Sequence, residues 1–518
     1  MSGWILLPVI LPVIAGICLL VSSFREHLAE KKNKKTKHAE KKECQNVHIF
    51  AMAALIISAL LALNAAGMRG KSVTLFYIMK DIPIYFYIDD ISRLFVTFVS
   101  IIWVLAGIYS CVYMEHEGEE KRYFGFYLIV YGVLVALDFS GNLVTFYLFY
   151  ELMTLTSMPL VLHNGSKEAI MASLKYLFYS MCGAYLALFG IFFMYKYCGS
   201  LSFTAGGTLD VTLVQGNETI LLIAVFAMLI GFGAKAGMFP LHAWLPTAHP
   251  VAPSPASAVL SGIIVKCGVL GIVRVVYYII GTDFIRGTWV QTAWMCLTLL
   301  TVFMGSLLAF REPVFKKRLA YSTVSQISYI LFGLASMTTT AFSGAMIHTV
   351  AHAFIKCTLF LVAGVFIFQC GKTRVEELDG IGKQMPKTLW CYTFASLALI
   401  GIPPTSGFIS KWYLAQGALE SEIGVFRYLG PIVLLISALL TAGYLLPIVM
   451  RGFFPGKDWK PEAEAKNEKK AKHAAVKQLE PSMMMLVPII ILAAVAVLLG
   501  VFPNPLTTFV NNIAASLM

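Results

Sequence analysis

The feature that most constrains this chain is the recurrence, from one end to the other, of apolar stretches of about 20 residues. Inside hydrocarbon such a stretch must pair its own N–H and C=O groups, so each is expected to be a helix. Helices are expected near 3–23, 47–67, 91–113, 122–140, 142–162, 169–195, 219–240, 254–279, 289–310, 317–336, 341–369, 388–417, 427–450 and 482–502. With 58% hydrophobic and 13% charged residues in 518, a soluble globule is excluded. The expected fold is an all-α integral membrane protein of about 14 transmembrane helices. The first span has neither a charged start nor a small-residue cleavage site, so it reads as retained.

The cations give this array an orientation. Loops 24–46 and 451–481 carry eight Lys and Arg each, and loops after odd-numbered helices are richer in them throughout. Cationic loops stay on the cytoplasmic side. Both termini are therefore expected outside a plasma membrane, with the two Lys-rich loops in the cytoplasm and in reach of anionic lipid. The net charge of +12 then reports orientation and not a nucleic-acid partner. The ten cysteines are scattered singly with no CxxC pair, so no disulfide framework, iron–sulfur site or zinc site is expected. No metal and no cofactor enter the reading.

An ionisable side chain in hydrocarbon costs roughly 3 kcal/mol or more, so those kept at mid-span are candidates for function. Arg93, Lys175 and Arg274 lie near helix ends, where they can snorkel or pair, and Asp138 sits where a helix-end hydrogen bond is expected. Lys235, Lys266, Lys356 and Lys411 lie deeper, against one acid near mid-span, Glu151. Four lysines and one glutamate cannot neutralise one another. Burial penalises the charged form of each, which is the condition under which such groups exchange protons. The alternative, lysines that only hold helices together through main-chain carbonyls, stays open.

Two spans are interrupted. "FGAKAGMFPLHAWLPTAHPVAPSP" (232–255) breaks the seventh beside Lys235, and "LIGIPPTSGFISKWYL" (399–414) breaks the twelfth before Lys411. Paired broken spans, each beside a lysine, point to an inverted-repeat transporter. The expected organisation is helices 1–3 (1–120), a first repeat of helices 4–8 (121–280), a second of helices 9–13 (288–450), the Lys-rich loop 451–481, and helix 14 (482–518). An odd number of helices per repeat gives the two opposite topologies.

The second repeat also holds "HTVAHAFIK" (348–356), in which four-residue steps set His348, His352 and Lys356 on one helical face. A zinc pair uses the same spacing, but Thr349 stands where a metalloprotease helix has its glutamate, and a lysine on that face repels a cation. Packing histidines and a proton relay are the other readings.

These segments, with "FYIDDISRLF" (86–95), "YELMTL" (150–155), "RLAYSTVSQISYI" (318–330) and "GIPPTSGFISKWY" (401–413), resemble the antiporter-like subunits of respiratory complex I, Mrp-type Na⁺/H⁺ antiporters and membrane-bound hydrogenases. The resemblance covers roughly 85–450. It implies that Glu151 and Lys235 form the pair of the first half-channel and that Lys266 connects them onward. His348, His352 and Lys356 would be the central relay and Lys411 the residue at the second break, where some family members have glutamate. It implies no redox chemistry in this chain, but partnership with other antiporter-like and small membrane subunits and a peripheral redox arm of iron–sulfur subunits. A secondary Mrp-type antiporter without redox partners is the alternative. After helix 14 only 16 residues remain, unlike the largest complex I subunit with its lateral helix. His242, His249 and Ser325 fall in family motifs without an assigned role.

Overall fold

A computed structural model describes residues 2–29, 37–456, 459 and 478–518. The helices that matter below are α1 (Leu7–Ala29), α2 (Lys37–Ala66), α3 (Asp90–Glu117), α4 (Glu120–Asp138), α5 (Leu143–Val161) and α6 (Lys167–Tyr197). They continue with α7 (Glu218–Ala236), α8 (Leu245–Val251), α9 (Ser254–Ile280), α10 (Trp289–Arg311), α11 (Phe315–Ser336) and α12 (Thr339–Cys370). The series ends with α13 (Pro386–Ile400), α14 (Ser406–Glu420), α15 (Phe426–Phe453), α16 (Met483–Val501) and α17 (Asn504–Leu517).

Among the described residues, 11 helices are long and apolar enough to cross a membrane, where the sequence suggested 14. The difference lies in three places. α4 and α11 are regular helices of 19 and 22 residues but carry charged or hydroxylated first turns, "EKRY" and "FKKRLAYST". The twelfth expected span is two helices of 15 residues, α13 and α14, each too short to cross.

The all-α expectation is corrected by an antiparallel hairpin, β1 (Ser72–Met79) with β2 (Ile82–Tyr87). Its sequence, "SVTLFYIMKDIPIYFY", is rich in β-branched and aromatic residues and reverses at Lys80 and Asp81, as a strand pair requires. The hairpin ties down through Tyr87 N–H to the Phe139 carbonyl (2.8 Å), at the end of α4. One further correction concerns a segment read as a loop, and another the residues after the fourteenth span, for which no second helix was expected. Most of 24–46 is helical, in α1 and α2, with 30–36 outside the described residues. The tail after α16 folds into α17, which packs on α12. Most of loop 451–481 lies outside the described residues.

The core is organised around α12, whose 32 residues are buried almost throughout. It touches α3, α9, α11, α13, α14, α16 and α17. A helix that meets protein on every side can keep polar groups away from lipid, which is the setting in which titratable side chains survive in a membrane.

Candidate proton-relay site

Both breaks form where the Gly and Pro residues suggested. α7 ends at Gly237 (φ +76°), a left-handed cap that costs an L residue strain and glycine little. α13 ends the same way at Gly401 (φ +91°). The carbonyls freed at the first break are met from nearby. Trp244 Nε1 donates to the Ala234 carbonyl (2.9 Å), and Met238 N–H to that of Gly233 (2.8 Å). At the second break the partner is Lys411 itself. Its Nζ donates to the Leu399 (2.7 Å) and Ile400 (2.9 Å) carbonyls, across the gap from α14 to the negative end of α13.

Lys235, in the last turn of α7, is fully buried. Its Nζ donates to Thr154 Oγ1 (2.8 Å) on α5 and to Tyr176 OH (2.9 Å) and Ser180 Oγ (2.9 Å) on α6, and lies 4.4 Å from the Tyr176 ring centroid. Glu151 lies one helical turn before Thr154, only partly buried, with Oε1 lacking a hydrogen-bond partner among the described residues. The two form no ion pair among the described residues, so three neutral hydroxyls hold this ammonium.

Beyond it, α9 and α12 form a direct contact. Lys266 Nζ donates to the Ser261 carbonyl (2.8 Å) and meets His352 Nδ1 (2.8 Å). His352 and His348 rings are 5.9 Å apart between centroids, each with Nε2 unpartnered among the described residues. His348 Nδ1 is 2.8 Å from Ser410 Oγ on α14, next to Lys411, and its ring stacks on Tyr329 (5.8 Å). Lys411 Nζ sits 5.1 Å from that same Tyr329 ring centroid. Lys356 turns toward α11 instead, donating to Ser322 Oγ (2.8 Å) and the Leu319 carbonyl (3.0 Å), and Ser322 in turn accepts from Tyr444 OH (2.7 Å).

The structure thus lines up Lys266, His352, His348 and Lys411, with direct contacts from Lys266 to His352 and from His348 to Ser410 beside Lys411, a 5.9 Å step between the two rings, and Lys356 as a side branch. Lys235 has its own hydroxyl cradle without a direct bond to Lys266, and Glu151 stands apart. Arg274 is a buried structural pair and not a snorkelling group, bonded to Asp89 and to Ser92 Oγ (3.1 Å). Arg93 likewise pairs with Asp90 (2.8 Å). Asp138 is buried at the end of α4, and its Oδ2 finds no partner among the described residues.

Sequence reading missed the hydroxyls Thr154, Tyr176, Ser180, Ser322 and Tyr444, which look like ordinary polar residues within apolar runs. It also missed Lys316, counted among loop cations but buried, with Nζ donating to the Ala252 carbonyl (2.5 Å). His249 is fully buried against Phe360 (4.7 Å), with neither ring nitrogen partnered among the described residues.

Residues 140–441 match the family described as NADH:quinone oxidoreductase/Mrp antiporter, TM. This chain belongs to that family. Residues 78–124 match the complex I chain 5 N-terminus family. This antiporter-like protein is 30% identical over 461 residues to NADH-quinone oxidoreductase subunit N of Desulforudis audaxviator, covering 88% of this chain and 89% of that one. It is 27% identical over 527 residues to the D-type Na⁺/H⁺ antiporter subunit of Bacillus subtilis, covering 100% and 98%. Hydrogenase-4 component B of Escherichia coli is 32% identical over 449 residues, covering 82% of this chain and 63% of that one.

Two solved structures share the fold across the whole chain at 21% identity. They belong to an archaeal membrane-bound sulfane sulfur reductase (TM-score 0.80) and the Mrp complex of Dietzia (TM-score 0.79).

Proposed function

We propose that this antiporter-like subunit translocates protons through its middle, along Lys235, Lys266, His352, His348 and Lys411, within a multisubunit complex whose redox partners supply the energy. The observation that carries the reading is the alignment from Lys266 through His352 and His348 to Lys411, built from α9, α12 and α14 and containing no carboxylate. A lysine contacting an imidazole nitrogen can hand over a proton directly, and two imidazoles 5.9 Å apart along one helix can pass it on by ring rotation. Lys235 receives the proton in its hydroxyl cradle, and Glu151, one helical turn before Thr154, acts as the tuning charge that a neighbouring subunit moves. Lys356 with Ser322 and Tyr444 gives a branch toward α15.

On this reading the two broken helices are each the fourth of an inverted five-helix repeat, helices 4–8 and 9–13 of a 14-helix array. Both termini lie outside, and loops 24–46 and 451–481 face the cytoplasm. Partners are other antiporter-like and small membrane subunits with an iron–sulfur arm. The full-length match to an Na⁺/H⁺ antiporter subunit supports a second reading, secondary exchange without redox partners.

The test is proton uptake by vesicles carrying the assembled complex with Lys235→Ala or, separately, Glu151→Gln. Loss of uptake with assembly intact is expected, and undiminished uptake would overturn the proposal. Na⁺-dependent transport without an electron donor would favour the second reading.

A further inference from the structure

A group of side chains away from the relay carries different chemistry. Cys44 and His48 are one helical turn apart on α2, so both point from the same face. They meet Glu120, the first residue of α4. Cys44 Sγ lies 2.6 Å from Glu120 Oε1, and His48 Nε2 lies 3.1 Å from Glu120 Oε2. One donor atom from each of the three falls within 4.8 Å of the others.

His48 is 9% exposed, and its Nε2 points into this group without an aligned hydrogen bond among the described residues. Its ring is held edge-on by Phe124 at 5.5 Å between centroids. Behind it, Glu115 Oε1 stands 3.9 Å from Nδ1, too far for a hydrogen bond as it stands but within a small side-chain rotation of one, the bond by which a carboxylate fixes the tautomer of a metal-binding histidine. The connection from α3 to α4 reads "EHEGEEKR" (115–122), so the surroundings are rich in carboxylates.

We propose that Cys44, His48 and Glu120 bind one divalent metal ion of the zinc class, clipping α2 to the head of α4, with Glu115 orienting His48. A thiolate, an imidazole and a carboxylate are the donor types that zinc takes. Donors around a tetrahedral zinc lie roughly 3 to 4 Å from one another, the span this group covers after small side-chain rotations. A fourth position is open to water. The set is hidden in the sequence because its third member is 72 residues beyond the second and because its cysteine belongs to no CxxC pair.

The experiment uses the full chain, stripped with chelator and titrated with Zn²⁺ alone, beside Cys44→Ser, His48→Gln, Glu120→Gln and Glu115→Gln. The parent should bind one equivalent, with binding weakened at least tenfold in the first three variants and about tenfold in Glu115→Gln. Co²⁺ in place of Zn²⁺ should give a thiolate-to-cobalt charge-transfer band that Cys44→Ser lacks. Zn²⁺ should also protect Cys44 from alkylation in the parent but not in Glu120→Gln, which keeps the thiol and so separates metal loss from misfolding. The proposal is overturned if Cys44→Ser binds the same equivalent as the parent, if no charge-transfer band appears, or if Zn²⁺ leaves Cys44 alkylation unchanged.

Discussion

Lys235 and Lys411 look alike in sequence, each beside a break, yet what holds them predicts opposite consequences for stability. Replacing Lys411 by Met removes two charge-assisted bonds to main-chain carbonyls that cannot turn away, at the end of α13. Each such bond is worth about 1.5–3 kcal/mol. Lys411 is partly exposed, which lets other groups reach the carbonyls, so a net loss of about 2–3 kcal/mol is expected. Replacing Lys235 by Met strands three hydroxyls, which rotate. Tyr176 OH keeps Ser157 Oγ at 2.7 Å, and Thr154 Oγ1 keeps the Tyr150 carbonyl at 3.2 Å. Deleting a fully buried charge that has no ion-pair partner among the described residues also removes its desolvation cost, so Lys235→Met should leave stability within about 1 kcal/mol of the parent or raise it. Both variants should lose proton transport. The assay is thermal unfolding of the detergent-solubilised protein, followed by a dye that reacts with buried thiols such as Cys267 and Cys357 as they emerge. Equal destabilisation by the two substitutions, or a neutral Lys411→Met, would refute the reasoning.

Tyr176→Phe should slow proton uptake several-fold with assembly unchanged, because Lys235 keeps two of its three acceptors; vesicle uptake checks it. Asp89→Ala should cost about 3–5 kcal/mol by leaving the buried Arg274 unpaired, read as lost thermal stability and poor yield. His163, in the loop after α5, is pushed down to about 4 by burial and then by the nearby Arg122, and its Nε2 lies 3.1 Å from the Gly118 carbonyl. Its folded state resists protonation that the unfolded chain accepts near 6.5, so stability is full above that pH and falls as pH drops toward 4. His163→Phe should flatten this slope in thermal-midpoint measurements against pH.

The broken helices were legible because Gly and Pro carry their backbone consequences with them; Gly237 and Gly401 end α7 and α13 near where the sequence marks them. The lysines were legible because an ionisable residue in an apolar run is conspicuous. Their acceptors were not, since Thr154, Ser180 and Ser322 resemble the many hydroxyls that simply bond back to the preceding turn. Lys316 was hidden by its neighbours, because "KKR" satisfies the pattern of a loop whichever of the three turns inward. The hairpin at 72–87 was masked by its own hydrophobicity, which a scan for apolar helices passes over. Asp89 gave no sign of its partner, which lies 185 residues away.

The second break depends on a segment made later. Ser406 Oγ, at the start of α14, donates to the Ala496 carbonyl of α16 (2.6 Å), 90 residues further on. Gly500 packs directly on the main chain of Pro404 and Thr405, where any side chain would collide. During synthesis, therefore, Lys411 and its carbonyl partners are delivered to the membrane before their brace exists. The last long apolar helix is the piece that braces the second break, and a ribosome halted before Ala496 leaves behind a chain with all its lysines and that break unsupported.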